Sequence, residues 1–105
     1  MSASVSTHVL DAVAGRPAAG IAVRLEDAAG TVLGRARTDA DGRVAALATP
    51  VAPGIHRLIF DVGAYLGPDA FFPEVVLTFR IVDVAARHHV PLLLSPYSYT
   101  TYRGS

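Results

Sequence analysis

Histidine is the natural general acid or base near neutral pH. The chain has four: His8, His56, His88 and His89. His56 shares a strand face with Leu58 and Phe60, which suits a packed or capping role. His88 and His89 are adjacent, so in an extended strand they point to opposite faces and do not form a pair. Two imidazoles on one strand face need positions i and i+2, and position 87 is Arg. With no Cys and no His-Glu-x-x-His motif, a zinc site is disfavoured.

Arg43 follows a turn in Asp41-Gly42-Arg43-Val44. Its default reading is an exposed charge at a strand start. Its functional reading is a clamp, because guanidinium is a planar fork of donors that fits an oxygen-rich heterocycle. The last four residues are Tyr102-Arg103-Gly104-Ser105, ending in a hydroxyl beside a carboxylate. No Ser-His-Asp nucleophile motif and no glycine-rich phosphate loop is present. The chemistry legible from residue types alone is two histidines and an arginine that must be brought together by the fold.

The elements that could do this are strands. Short apolar runs alternate with Gly, Pro and Asp clusters, the all-β pattern. Strands are expected near 5–10, 21–26, 31–38, 43–48, 55–62, 74–82, 88–94 and 97–103. Ala14-Gly15-Arg16-Pro17, Ala29-Gly30, Asp39-Ala40-Asp41-Gly42 and Ser95-Pro96 supply turn chemistry between them. Gly63 to Asp69 is compatible with a short helix, limited by Gly67-Pro68. Eight short strands in about 100 residues predict a two-sheet β-sandwich.

Strand parity sorts the candidates. His8 and Leu10 share a face of the first strand, opposite Thr7 and Val9. His89, Pro91 and Leu93 share a face of the seventh, and Ser98, Thr100 and Tyr102 share one of the eighth. The histidine-bearing faces of the first and seventh strands are rather apolar for solvated surfaces. This predicts that another subunit covers them.

Composition bounds the alternatives. The chain has 105 residues, of which 51% are hydrophobic, and is read as a single domain spanning 1–105. Such a domain buries roughly 65% of its unfolded surface and has little room for a deep private pocket. Nine arginines balance nine carboxylates, leaving no basic excess for nucleic acid. The absence of cysteine excludes disulfides and thiolate chemistry. No run is long enough to span a membrane, and the start lacks the look of a secretory signal, so the expected location is cytoplasmic.

Several segments resemble one known family, the 5-hydroxyisourate hydrolases of the transthyretin-like fold. They are His8-Val9-Leu10-Asp11 with Gly15-Arg16-Pro17-Ala18, Thr38-Asp39-Ala40-Asp41-Gly42-Arg43, Phe71-Phe72-Pro73-Glu74-Val75, and the long stretch from His89-Val90-Pro91-Leu92 to Tyr102-Arg103-Gly104-Ser105. The likeness runs from about residue 6 to 105. One departure stands before Val90, where the family often has His-Tyr-His and this chain has Arg87-His88-His89.

The resemblance implies an all-β, transthyretin-like sandwich of about eight strands with one short helix. The first, fourth, seventh and eighth strands would form one sheet in the order four, one, seven, eight, with His8, Arg43, His89 and Tyr102 coming from its four strands. It implies hydrolysis of 5-hydroxyisourate by water, with no metal or organic cofactor, in a homotetramer whose sites lie in a channel between dimers. His8 and His89 would handle protons, Arg43 would hold substrate oxygens, and Ser105 would bind substrate or hold a histidine. Tyr102, Arg103 and Gly104 would contribute to substrate binding, with Arg103 on the opposite face tying down the tail. The same fold also includes transthyretin, so the competing expectation is a carrier that binds a small aromatic ligand in that channel without chemistry. A monomeric interaction module is a third, opposed by the apolar histidine face.

Overall fold

The computed structural model describes residues 3–48 and 50–104. Nine strands and one helical turn follow in order: β1 (Ser4–Asp11), β2 (Arg16–Pro17), β3 (Ala22–Asp27), β4 (Val32–Arg37), β5 (Arg43–Ala48), β6 (Gly54–Asp61), α1 (Gly63–Leu66), β7 (Glu74–Ile81), β8 (Arg87–Leu94) and β9 (Tyr99–Thr101). They form two sheets. One has the order β4-β3-β6-β7, and the other runs β2-β1-β8-β9 with β5 also paired to β1. The order expected for the histidine-bearing sheet is therefore found, and β2 is an addition to it.

Alternation along the strands builds the core. Val5, Thr7 and Val9 of β1 point inward with Leu92 and Leu94 of β8. They meet Leu25, Leu58, Phe60 and Val75 of the second sheet. Each fully buried aliphatic side chain stabilises by roughly 1.5–3 kcal/mol relative to exposure. No helix among the described residues is long and apolar enough to cross a membrane.

β1 is the organising strand. One edge pairs with β8 in parallel, placing Ser6 beside His89 and His8 beside Pro91. The other edge is shared. β5 takes Val5, Thr7 and His8, and β2 takes Leu10 and Asp11. The hand-over between β2 and β5 occurs at the Asp39–Arg43 turn. Asp39 Oδ1 accepts from the N–H groups of Asp41 and Arg43, at 2.9 Å each. Gly42 has φ +74°, and its carbonyl accepts from Val9 N–H at 2.7 Å. A Cβ at Gly42 would collide with the Val9 carbonyl oxygen. Glycine thus lets the turn lie flat on β1, and Arg43 emerges opposite His8.

Two expectations need correcting. Arg16-Pro17 belongs to a short edge strand as well as to the turn that ends β1. The last strand was expected over 97–103 and spans only Tyr99–Thr101. Its register, Leu92 with Thr101 and Leu93 with Thr100, continues to a single bridge between His89 and Gly104. The gap falls where Tyr102 faces Pro91, whose ring nitrogen has no hydrogen to donate.

Candidate active site

The outward face of the β5-β1-β8-β9 sheet carries the candidates. His8 and Arg43 are direct partners across the β1–β5 pair. Ser6 and His89 are partners across the β1–β8 pair. Partners in register project to the same side of a sheet, so His8, Arg43, His89 and Ser6 share one face. Arg43, His89 and Ser6, with Arg87, line a cleft of about 350 Å³. His8 lies on the same face without lining that cleft.

Each histidine is held by one nitrogen. His8 Nε2 lies 2.9 Å from the Asp41 carbonyl oxygen. A carbonyl only accepts, so Nε2 carries the hydrogen and donates it, and in the neutral ring Nδ1 holds the lone pair. His89 Nδ1 lies 2.8 Å from Ser6 Oγ. Burial pushes the His89 imidazole below its ordinary value of 6.5, and the charges of Arg43, His8 and Arg87 push the same way. All four causes oppose the cation, so His89 is a neutral imidazole at physiological pH.

The tail closes over His89. Gly104 N–H donates to the His89 carbonyl at 2.8 Å. A Cβ at Gly104 would stand 2.5 Å from His89 Cδ2, so only glycine leaves the ring its place. Thr101 Oγ1 donates to the Pro91 carbonyl at 2.8 Å and anchors the approach. Tyr102 is 57% exposed and continues the β9 register beyond the end of that strand. Tyr102, Arg103 and His89 border a second cleft of about 490 Å³ toward β7. Ser105 lies outside the described residues.

The remaining histidines fall as parity requires. His56 is 3% exposed, donates from Nδ1 to the Gly54 carbonyl at 3.0 Å, and tilts against Phe79. His88 is 7% exposed on the inner face, and its Nδ1 is buried without a hydrogen-bond partner among the described residues. No group of three or more His, Cys, Asp or Glu side chains that could hold a metal occurs among the described residues. Sequence reasoning did not single out Ser6, Arg87 or the Asp41 carbonyl. Only Arg87 carried a signal, as the unusual neighbour of two histidines.

Two imidazoles, with a guanidinium beside them, can pass protons and hold a developing negative charge. Fold and face together define a transthyretin-like sandwich whose outward sheet is equipped for acid–base work. The family model described as "HIUase/Transthyretin family" matches residues 5–104, and the chain belongs to that family. It is 46% identical over 109 residues to the 5-hydroxyisourate hydrolase of Salmonella typhimurium, covering 96% of this chain and 80% of the relative. The solved structure of Klebsiella pneumoniae 5-hydroxyisourate hydrolase superposes with a TM-score of 0.88 at 34% identity, covering 98% of this chain and 94% of that one. Sea bream transthyretin in complex with thyroxine also gives 0.88, at 32% identity, with coverage of 96% and 94%. Backbone likeness is equal for hydrolase and transthyretin, so the side chains of the face must decide between them.

Proposed function

We propose that this protein is a 5-hydroxyisourate hydrolase acting in urate degradation. It hydrolyses a cyclic amide carbon–nitrogen bond of 5-hydroxyisourate to give 2-oxo-4-hydroxy-4-carboxy-5-ureidoimidazoline. The observation that carries this reading is the convergence of His8, Arg43 and His89 on one sheet face. The relatives named as hydrolases support it.

In this reading water is the nucleophile. His89, neutral and presenting Nε2, takes a proton from water as it attacks the carbonyl carbon. The carbonyl oxygen gains negative charge, and Arg43 offers it hydrogen bonds. Donors of this kind contribute about a hundred- to a thousandfold in turnover. Collapse of the intermediate breaks the carbon–nitrogen bond, and the proton passes to the leaving nitrogen. His8, with Nδ1 as acceptor, orients the water. Gly104 closes the substrate space beside His89, Tyr102 walls it, Arg103 ties down the tail from the other face, and Ser105 binds substrate or holds a histidine.

The assembly belongs to the same proposal. Leu10 and Leu93 lie half-buried beside the histidines on the outward face. A homotetramer, built as a dimer of dimers, would cover that face and turn an open cleft into a channel. Light scattering in solution tests it.

The activity is tested by generating 5-hydroxyisourate from urate with urate oxidase. The expected result is loss of the substrate's ultraviolet absorbance faster than its spontaneous decay, abolished in His89→Ala. No acceleration from a folded oligomer would favour a ligand carrier instead.

A further inference from the structure

The hydroxyl of Ser6 is the polar partner of the His89 ring among the described residues, and it has no task in the proposed reaction. Ser6 sits on the outward face of β1, in register with His89 on β8. Its Oγ is 2.8 Å from Nδ1. Gly104 confines the other side of the ring, at Cδ2. The imidazole is therefore gripped at two points, and Nε2 is the nitrogen left to exchange a proton.

We propose that Ser6 is a positioning residue for the hydrolytic step, its oxygen accepting a hydrogen bond from Nδ1–H of His89 and so fixing Nε2 as the basic nitrogen. The proposal rests on the reading that His89 moves the proton. A base at Nε2 requires the hydrogen on Nδ1, and the imidazolium formed after proton uptake still carries it. A hydroxyl oxygen can accept that bond in both states, so the ring need not reorient during the cycle. The reverse polarity, with Ser6 donating, would leave the hydrogen on Nε2 and no lone pair for water.

Serine also differs from the carboxylate that often holds a histidine in this way. A carboxylate would stabilise the cation and raise the basicity of the ring. A neutral hydroxyl orients without doing so. The charged and titratable groups around the ring are consistent with that role. His8 faces it from β1, Arg43 from β5, and Arg87 from its own strand, all opposing the cation. Tyr102 and Arg103 lie on the tail side, with Arg80 and Asp83 across the second cleft. Within this set Asp83 is the one carboxylate.

The neighbouring hydroxyl is a built-in control. Thr7 Oγ1 points to the inner side and donates to the Val90 carbonyl at 2.6 Å. It touches no histidine ring in any recorded hydrogen bond, so its loss affects packing and not tautomer.

The experiment compares Ser6→Ala, Ser6→Thr, Ser6→Asp, Thr7→Val and His89→Ala in the full chain. The readouts are kcat, KM, the pH profile and the nitrogen-15 chemical shifts of the His89 ring. The expected result for Ser6→Ala is kcat reduced about tenfold with KM little changed, as for loss of one hydrogen bond. Its Nδ1 signal should lose the single protonated form seen in the parent. Ser6→Thr should restore both. Ser6→Asp should move the acid limb to higher pH by about one unit, the effect of one nearby opposite charge. Thr7→Val should lower the thermal midpoint and leave the acid limb in place. Parental kcat and pH profile in Ser6→Ala, with His89→Ala inactive, would overturn the role of Ser6 and keep that of His89. Parental turnover in His89→Ala would overturn the catalytic reading itself. An Nδ1 signal without hydrogen in the parent would overturn the proposed polarity whatever the rates.

Discussion

His88 turns its ring into the sandwich, and His89, one residue later, turns its ring out. Both sit in β8, and both are at least partly shielded from water. The inward ring has a buried Nδ1 with no partner among the described residues. The outward ring has Ser6 on Nδ1, Gly104 against its edge, and Arg43 in its cleft. The difference shows that burial alone does not make a histidine useful. Chemistry needs one nitrogen committed and the other presented, and only the outward ring has that arrangement.

The strongest way to break the comparison is to truncate the outward ring. His89→Ala should reduce kcat by about a hundredfold or more, the range for loss of a positioned acid–base group. Its thermal midpoint should stay within about 4 °C of the parent, because a partly exposed side chain contributes little to the core. Equal loss of turnover and stability, in assay and calorimetry, would make His89 a packing residue like His56.

Arg43→Gln comes next. Turnover should fall about a hundredfold. The acid limb of kcat/KM should also rise toward 6.5, because one of the charges opposing His89 protonation is gone. A limb that stays in place would show that Arg43 does not act on that ring.

Gly104→Ala should reduce turnover about tenfold by pushing the ring off Ser6. A crystal structure of the variant checks whether the 2.8 Å contact is lost. The thermal midpoint should change little, since the residue lies outside the core.

The pH dependence of stability sharpens the same point. Above about 6.5 His89 is neutral in folded and unfolded chains and contributes no slope. As pH falls, the unfolded chain takes up the proton first, since the folded value is lowered. Stability attributable to this ring therefore falls with acid and levels off below the folded value. Between pH 7.5 and pH 5.5 the urea midpoint of the parent should fall relative to that of His89→Gln if this sign is right.

The smallest effect belongs to the inward ring. A buried polar atom without a partner costs about 1–3 kcal/mol. His88→Phe should raise stability by about 1 kcal/mol by urea titration and leave turnover unchanged. The cleft of about 490 Å³ beside it gives the larger ring room. A drop in turnover would show that the inner face also reaches the chemistry.

Much of this contrast was legible before any fold was described. Period-two parity alone separated His88 from His89 and put His8 with Leu10. The 43–48 strand was found with its expected ends, because Asp39-Ala40-Asp41-Gly42 is unambiguous turn chemistry. The order of the histidine-bearing sheet came from family resemblance and not from periodicity. β2 was missed because two residues carry no period. The last strand was drawn too long because the hydrogen missing at Pro91 matters only once Tyr102 is known to face it. Ser6 was invisible for a related reason. A serine two residues before a histidine means nothing until parallel pairing sets it beside a different histidine. The Asp41 carbonyl has no residue-type signature at all.

Parallel pairing of β1 with β8 has a temporal consequence. Ser6 and His89 are 83 positions apart, and the Gly104 cradle lies later still in the chain. Contacts of such long range are slow to form. A chain synthesised only as far as β7 thus carries its first histidine and has no functioning centre. Recovery of turnover in a refolding experiment would mark docking of the final strands, and would lag any signal from the β3–β4 hairpin.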